Sequence, residues 1–163
     1  MEIHQLEYLM YRHPATINRL GGVLARDQLP LHATHRCYIV NTDTSQEAGT
    51  HWVALYFDSN GLAEYFDSYG LPPHLPEINH FLSNNCVNWK YNVKRLQSVR
   101  SAVCGQYCIY FLLFRCTGMS MSRIVHPFSN EEFIKNDKHV HQYIYKMLCI
   151  YLPLYQPLPP TFL

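Results

Sequence analysis

The sequence predicts an α+β fold in which a mixed β-sheet is covered by helices and a central, buried helix begins at a cysteine. Residues 51–57 and 62–68 are strand-like runs separated by a turn that contains Asn60-Gly61, which is the pattern of a β-hairpin. Residues 103–116 are apolar on nearly every side, which is typical of a buried helix. Residues 140–151 place apolar side chains at helical spacing, so one face of a last helix packs on the core.

The length and composition predict one globular domain spanning residues 1–163. Apolar residues make up 48% of the chain and charged residues 15%, which excludes a disordered or fibrous protein. No apolar run reaches the roughly 18 residues of a membrane span, and the N-terminus lacks the pattern of a signal peptide. We therefore expect a soluble monomer with no membrane partner.

The six cysteines are too sparse for a disulfide scaffold, which indicates a reducing compartment. No Cys/His cluster has metal-ligand spacing. The closest approach, His139-x-His141, would point its two side chains to different faces of a helix. We therefore predict neither a metal nor a small-molecule cofactor.

The first third of the chain predicts a helix, a loop and two strands. A short first helix is predicted near residues 15–20, and Gly21-Gly22 and Pro30 bracket the loop that follows it. Residues 37–41 have the pattern of a short strand. The first strand of the hairpin, residues 51–57, is apolar on both faces, as expected for a strand in the middle of a covered sheet.

Prolines and the periodicity of apolar residues predict the elements after the hairpin. Pro72-Pro73 ends the hairpin region, and a helix is predicted around residues 77–83. Residues 88–97 alternate between apolar and polar side chains, as in a strand. Ser129-x-x-Glu132 is a capping box that opens the last helical region. Prolines from Pro153 onward predict an extended tail.

The charges are unevenly distributed along the chain. Residues 1–77 hold nine acidic and four basic residues, whereas residues 78–130 hold six basic residues and no acidic one. Burial of much of this second segment would explain its lack of acids. A positive environment around Cys104 would also favour its thiolate form.

Four residue types with a use in thiol chemistry occur in order along the chain. Cys104, at the first turn of the predicted buried helix, would have its thiolate stabilised by the helix dipole. His51, on a rigid strand, can take the thiol proton and later give it to a leaving amine. Asp67, on the adjacent strand, can orient the imidazole, and Gln97 can join the Cys104 backbone N–H in an oxyanion hole.

The segments that carry these residues resemble those of the adenovirus protease (adenain) and its relatives in polinton-type mobile elements. The resemblance covers about residues 20–150. It rests on Gly49-Thr50-His51-Trp52, on Tyr65-Phe66-Asp67-Ser68-Tyr69-Gly70, and on the nine-residue segment Gln97-Ser98-Val99-Arg100-Ser101-Ala102-Val103-Cys104-Gly105. It implies the fold of that family and catalytic roles for His51, Asp67, Gln97 and Cys104.

The resemblance also implies a function and a setting. It implies a viral-type cysteine endopeptidase that processes precursor proteins of the capsid or core. Cleavage would occur at small, Gly-containing sites preceded by an aliphatic residue. The implied location is the host nucleus or the virion.

Two activators follow from the resemblance, a short viral peptide and DNA. In the adenoviral enzymes the peptide attaches through a disulfide to a cysteine eleven positions before the oxyanion Gln, and Cys86 lies eleven positions before Gln97. A half-buried cysteine without a partner is the alternative for Cys86. Basic residues near Trp89 and Tyr91 have the composition of a weak DNA site, but the net charge of +1 argues against DNA activation.

Trp52 and Asp27 are candidate substrate-binding residues. Trp52 follows His51 and would wall a narrow channel that admits only Gly-sized residues; burial of its ring beneath the sheet is the alternative. Asp27 lies in the loop that lines the substrate cleft of the resembling enzymes; an ordinary solvated carboxylate is the alternative.

The length of the hairpin loop decides whether Asp67 can reach His51. A two-residue Asn60-Gly61 turn would pair Asp67 with Ala54, on the face opposite His51. A three-residue loop, with Gly61 in the left-handed region, would pair Asp67 with Val53 and place it on the face of His51. We therefore predict the three-residue loop.

Two alternatives to an adenain-like protease remain open at this point. Proteases of SUMO-like modifiers share His-Trp, Asp and Gln…Cys-Gly, but their Gln usually lies six residues before the nucleophile and an Asp commonly precedes it. Here the separation from Gln97 to Cys104 is seven residues, and Val103 precedes the cysteine. The other alternative is a catalytically silent binding domain with the same fold.

Overall fold

A five-stranded mixed β-sheet runs through the computed structural model, which describes residues 3–151. The strands follow one another across the sheet in chain order. The central pairs, β2–β3 and β3–β4, are antiparallel, and the outer pairs, β1–β2 and β4–β5, are parallel. The strands are β1 (Leu20–Ala25), β2 (Cys37–Asn41), β3 (Trp52–Phe57), β4 (Leu62–Phe66) and β5 (Asn88–Tyr91).

Helices cover both faces of this sheet, which confirms the predicted α+β class. They are α1 (Ile3–Arg12), α2 (Pro76–Asn85), α3 (Cys104–Arg115), α4 (Met121–Val125) and α5 (Phe133–Tyr151), with one 3-10 turn at Arg26–Gln28. No helix in the described part of the chain is long and apolar enough to cross a bilayer.

Successive side chains of each strand point to opposite faces of the sheet, so the core has two layers. In β2, Ile39 packs with α3, whereas Tyr38 and Val40 pack on the other face, against α2. Helix α3 lies between the sheet and helices α1, α4 and α5. This central position explains why residues 103–116 are apolar on nearly every side, because no side of the helix faces water extensively.

The β3–β4 hairpin has the predicted three-residue loop. Phe57 pairs with Ala63, and the Asp58 N–H donates to the Leu62 carbonyl at 2.9 Å, so residues 59–61 form the loop. Gly61 has φ +79°, a left-handed conformation that favours glycine. The prediction is therefore confirmed.

The prediction for the N-terminal third was wrong at two points. The first helix is α1, and residues 15–20 form turns and the start of β1. The buried Thr16 hydroxyl donates to the Met10 carbonyl at 2.6 Å, which ties this turn to the end of α1. Gly21 belongs to β1, where a Cβ would lie 2.1 Å from the Tyr38 ring. The glycine thus serves close packing against β2, whereas we had interpreted it as a loop signal.

Later elements agree more closely with the predictions. Helix α2 contains the predicted helix at residues 77–83. Strand β5 stops at Tyr91, short of the predicted residue 97. Beyond it, Asn92 takes over the pairing with β4 through its side chain, which bonds both the N–H and the carbonyl of Asp67. The proline-rich tail lies outside the described residues.

Candidate active site

The hairpin brings His51 and Asp67 together at one end of the sheet. His51 directly precedes β3, and Asp67 directly follows β4. Ala54 pairs with Phe66, so the next step of the register puts Asp67 level with Val53, on the face of His51. His51 Nε2 lies 2.9 Å from Asp67 Oδ1.

The Asp67 carboxylate is buried and held in place. Its Oδ1 also accepts the Tyr69 N–H at 2.8 Å. Its own backbone N–H donates to Asn92 Oδ1 at 2.8 Å, and Asn92 Nδ2 donates to its carbonyl. The carboxylate therefore presents a fixed acceptor to the imidazole.

Cys104 is the first residue of α3, and its side chain meets the same imidazole. The thiol lies close enough to His51, and to the backbone N–H groups of Trp52 and Gly105, for all three to act on its pKa. Burial raises the pKa of the Cys104 thiol, but His51 and the two N–H groups outweigh it and lower that pKa overall. Because Nε2 of His51 is engaged by Asp67, the ring nitrogen left for the thiol is Nδ1.

The pKa of the His51 imidazole shifts in the opposite direction, upward. Burial lowers the pKa of His51, but its hydrogen bonds to Asp67 and Cys104 raise it to about 9. A cysteine with a lowered pKa beside a histidine with a raised pKa favours a thiolate–imidazolium pair near neutral pH.

Gln97 is fully buried in the irregular segment that leads from β5 to α3. Its side-chain oxygen accepts the Ser68 hydroxyl at 2.6 Å. Its side-chain nitrogen donates to the Ser101 carbonyl at 2.8 Å. The same nitrogen lies 3.2 Å from the Ser101 hydroxyl, so three contacts define which way the amide points.

Tyr69 is a site residue that the sequence analysis missed. Its ring lies over the His51 imidazole, with ring centroids 5.1 Å apart and planes inclined by 31°. The turn at Gly70, with φ +71°, folds this segment back, and a Cβ there would lie 2.8 Å from the Lys94 backbone. No local signal in the sequence placed Tyr69 over the imidazole, because the two rings meet only through tertiary packing.

Trp52 lies beside the candidate nucleophile. Its indole packs against the core layer that contains α3, and its Cδ1 lies 3.6 Å from the position of a Cβ on Gly105. A side chain at position 105 would also crowd Leu6, at 3.1 Å. The Trp52 distance is ordinary van der Waals contact, so the preference for a small residue after Cys104 comes from Leu6.

Asp27 and Cys86 lie apart from this cluster. Both carboxylate oxygens of the exposed Asp27 bind Ser45, one at its N–H and one at its hydroxyl, each at 2.7 Å. This contact ties the 3-10 turn to the loop before His51. Cys86 caps the end of α2, where its thiol donates to the Leu82 carbonyl at 3.0 Å and burial raises its pKa.

A cavity of about 300 Å³ opens beside the imidazole. His51, Asp67 and Tyr69 line one part of it, and Arg26 and Leu71 line another. Within residues 3–151, no group of three or more His, Cys, Asp or Glu side chains is arranged to hold a metal ion.

No protein-family model matches this sequence, and no curated protein matches it. Several solved structures align with this chain, among them the following two. The SUMO protease Ulp1, with its catalytic cysteine oxidised to a sulfonic acid, aligns over 95% of this chain and 79% of its own, with TM-score 0.53 and 11% identity. The central domain of the uncharacterized Lpg1148 protein from Legionella pneumophila aligns over 91% and 97%, with TM-score 0.53 and 13% identity.

The protein thus has the α+β fold of a cysteine protease, the fold seen in Ulp1. The ASFV pS273R protease also aligns, at 24% identity over 67% of this chain and with a TM-score of 0.48. This chain spans 44% of the length of that protease. The alignments with Ulp1 and with the Lpg1148 domain establish a shared fold.

Proposed function

We propose that this protein is a cysteine endopeptidase in which Cys104 is the nucleophile, His51 the general acid and base, Asp67 the orienting acid and Gln97 an oxyanion donor. One observation carries the proposal: the His51 imidazole bonds the Asp67 carboxylate at 2.9 Å, and Cys104 begins a buried helix close enough to that imidazole for each to shift the pKa of the other. This is the arrangement that activates a thiol for attack on a carbonyl.

Acylation would begin with attack of the Cys104 thiolate on the scissile carbonyl carbon. The negative charge that forms on the carbonyl oxygen would be met by the Cys104 backbone N–H and by Gln97. The protonated His51 then gives its proton to the leaving amine, and the C–N bond breaks. Asp67 stabilises the imidazolium and keeps Nδ1 directed at the reacting atoms.

Deacylation returns the enzyme to its starting state. A water molecule gives a proton to His51 and attacks the thioester carbonyl, passing through a second oxyanion. The bond to sulfur breaks, the acid product leaves, and Cys104 is again paired with the protonated His51.

For the substrate, we propose protein precursors cleaved at small, Gly-containing sites, as in adenain-like viral proteases. The motifs around His51, Asp67 and Cys104 support this choice. The second candidate is processing of SUMO-like modifiers, which the fold shared with Ulp1 favours. Cleavage of a Leu-x-Gly-Gly-x peptide, set against a panel of modifier precursors, separates the two. Efficient turnover of a folded precursor with slow turnover of the peptide would favour the modifier protease.

A catalytically silent binding domain would keep the fold without the reaction. The reactivity of the Cys104 thiol tests this alternative, because a silent domain has no need of an activated nucleophile. Labelling of Cys104 by iodoacetamide no faster than that of free cysteine, with no cleavage of either substrate class, would establish the silent domain.

An activating peptide attached through Cys86 is a separate proposal. The thiol is partly buried, and its raised pKa slows disulfide exchange without preventing it. Cys86→Ser should leave basal peptidase activity intact, because this thiol lies apart from the His51–Cys104 cluster. A Cys86→Ser variant as inactive as one at Cys104 would contradict the assignment.

We propose that DNA is not required for activity. Three basic residues near β5 already have partners inside the chain. Lys90 Nζ lies 3.2 Å from Glu64, Lys94 Nζ donates to three backbone carbonyls at and just after the end of α4, and Arg95 stacks 4.3 Å over the Phe133 ring. Turnover measured with and without duplex DNA at low salt should therefore be the same; a large stimulation would overturn this.

A further inference from the structure

The backbone on both sides of Gln97 is held by groups distant in the sequence. Residues 92–103 contain no helix or strand, yet Leu96, Gln97 and Ser98 are all buried. Buried backbone polar groups need partners. Here the partners come mainly from α3 and α5.

The peptide group before Gln97 is bonded at both ends. The Leu96 carbonyl accepts the Tyr107 hydroxyl at 3.2 Å and Asn136 Nδ2 at 3.0 Å. The Gln97 N–H donates to the Ser68 carbonyl at 3.0 Å. Rotation of this peptide plane would break the bonds to Asn136 and Ser68 and the one that the Tyr107 hydroxyl can supply.

The peptide group after Gln97 is bonded at both ends as well. The Gln97 carbonyl accepts Arg95 Nε at 3.0 Å, and the Ser98 N–H donates to Asp137 Oδ2 at 3.2 Å. Asp137 is 4% exposed, and its other oxygen lies 3.0 Å from the Tyr107 hydroxyl, whose single proton is shared between this oxygen and the Leu96 carbonyl. Tyr107 therefore links the two peptide groups.

We propose that Asn136 and Asp137 of α5, acting with Tyr107 of α3, are positioning residues that hold Gln97 where its amide meets the developing oxyanion. This inference rests on the proposed function of Gln97. None of the three side chains needs to touch the substrate. Their effect is geometric, because an oxyanion donor displaced by about 1 Å can cost a hundredfold in rate.

The test is a double-mutant cycle between Gln97 and Asp137, measured as kcat on a fluorogenic Leu-x-Gly-Gly peptide. Asp137→Ala should lower kcat at least tenfold with little change in KM. In a Gln97→Ala background, Asp137→Ala should have no further effect, because the amide that it positions is gone. Asp137→Asn should recover most of the loss, since its oxygen can still accept the Ser98 N–H.

Two readouts separate positioning from general damage. Alkylation of Cys104 by iodoacetamide forms no oxyanion, so its rate should be unchanged in Asp137→Ala. Val140→Ala, a cavity variant on the same helix that removes none of these hydrogen bonds, should lower stability but not kcat. If Asp137→Ala fails to fold, Tyr107→Phe provides the same cycle by removing the shared hydroxyl.

The outcomes distinguish this inference from the proposed function. If Gln97→Ala keeps the wild-type kcat, the oxyanion role itself is wrong. If Gln97→Ala is impaired while Asp137→Ala is not, only the positioning role is wrong. If the fold losses in kcat of the two single variants multiply in the double variant, the positioning role is wrong. It is also wrong if Asp137→Ala slows alkylation of Cys104 as much as it lowers kcat.

Discussion

His51 Nε2 lies 2.9 Å from Asp67 Oδ1, although the two residues are sixteen apart in the chain. The relationship depends on the three-residue hairpin loop that ends at Gly61. A loop shorter by one residue would move Asp67 to the opposite face of the sheet. The candidate active site therefore depends on a local turn as much as on the residues that line it.

Substitutions in the proposed machinery should damage turnover to different degrees. Cys104→Ala and His51→Ala should abolish cleavage of a Leu-x-Gly-Gly-x peptide, because no other group supplies the nucleophile or the base. Gln97→Ala should retain measurable activity, about a hundred- to a thousandfold below wild type. The activity of Asp67→Asn should lie between that of wild type and zero, because the Cys–His ion pair forms in part without the third residue. Full activity in His51→Ala would contradict the mechanism.

The pH dependence of alkylation should report the thiolate. The pKa of Cys104 is lowered, mainly by His51 acting against burial, so iodoacetamide should label it rapidly well below pH 8. His51→Ala removes the main cause that lowers the Cys104 pKa and leaves burial and the two backbone N–H groups, so the same labelling rate should require a higher pH. Mass spectrometry of each cysteine, with the exposed Cys149 as internal reference, gives the profile. If the pH profile of Cys104 labelling is the same in wild type and in His51→Ala, the proposed thiolate–imidazolium pair is wrong.

Gly70→Ala should impair both stability and activity, and Gly118→Ala provides a matched control. Both glycines have positive φ, +71° and +97°, so alanine strains the backbone at either site by roughly 1 kcal/mol or more. At Gly70 alone, the new Cβ would also meet the Lys94 and Arg95 backbone, at 2.8 and 2.9 Å. We expect a larger fall in the free energy of unfolding for Gly70→Ala, measured by urea denaturation.

The activity of the two glycine variants provides a second comparison. Gly70→Ala should displace Tyr69 from the imidazole and lower kcat at temperatures where the variant is folded. Gly118 has nothing within 4 Å of its Cβ position, so Gly118→Ala should keep the wild-type kcat. Equal kcat in both would show that the turn at Gly70 does not matter to the site.

Trp52→Ala should lower stability, because its ring packs against the first turn of α3. The loss should be about 1–3 kcal/mol for a large, partly buried side chain. If Trp52 also walls the substrate channel, the variant should accept Ala in place of Gly at the cleavage site. Kinetics on paired Gly and Ala peptides tests this, and an unchanged preference for Gly would leave Trp52 a packing residue alone.

Local signals in the sequence predicted several features correctly. Asn60-Gly61 indicated the hairpin, because a left-handed residue ends such a loop. The apolar run after Val103 indicated a buried helix that begins at Cys104. Together they predicted which face of the sheet would carry His51 and Asp67, since side chains alternate with a period of two.

Other features had no local signal. Gly21 sits in strand β1 because the Tyr38 ring occupies the space of its side chain, and that ring is contributed by another strand. Likewise Asn136 and Asp137 read as ordinary polar residues of a helix. Only packing of α5 against the rest of the chain brings them to Leu96 and Ser98, about forty residues earlier.

By itself the sequence determined the α+β class, the hairpin and the four residues of the proposed chemistry. These depend on periodicity, turn preference and residue type, which are encoded within short segments. The tertiary structure alone decided that Tyr69 covers the imidazole, that Ser68 orients the Gln97 amide and that α5 holds the backbone of the segment before Cys104. Those contacts satisfy buried polar groups across distant segments, and no short-range pattern specifies which partner each group will find.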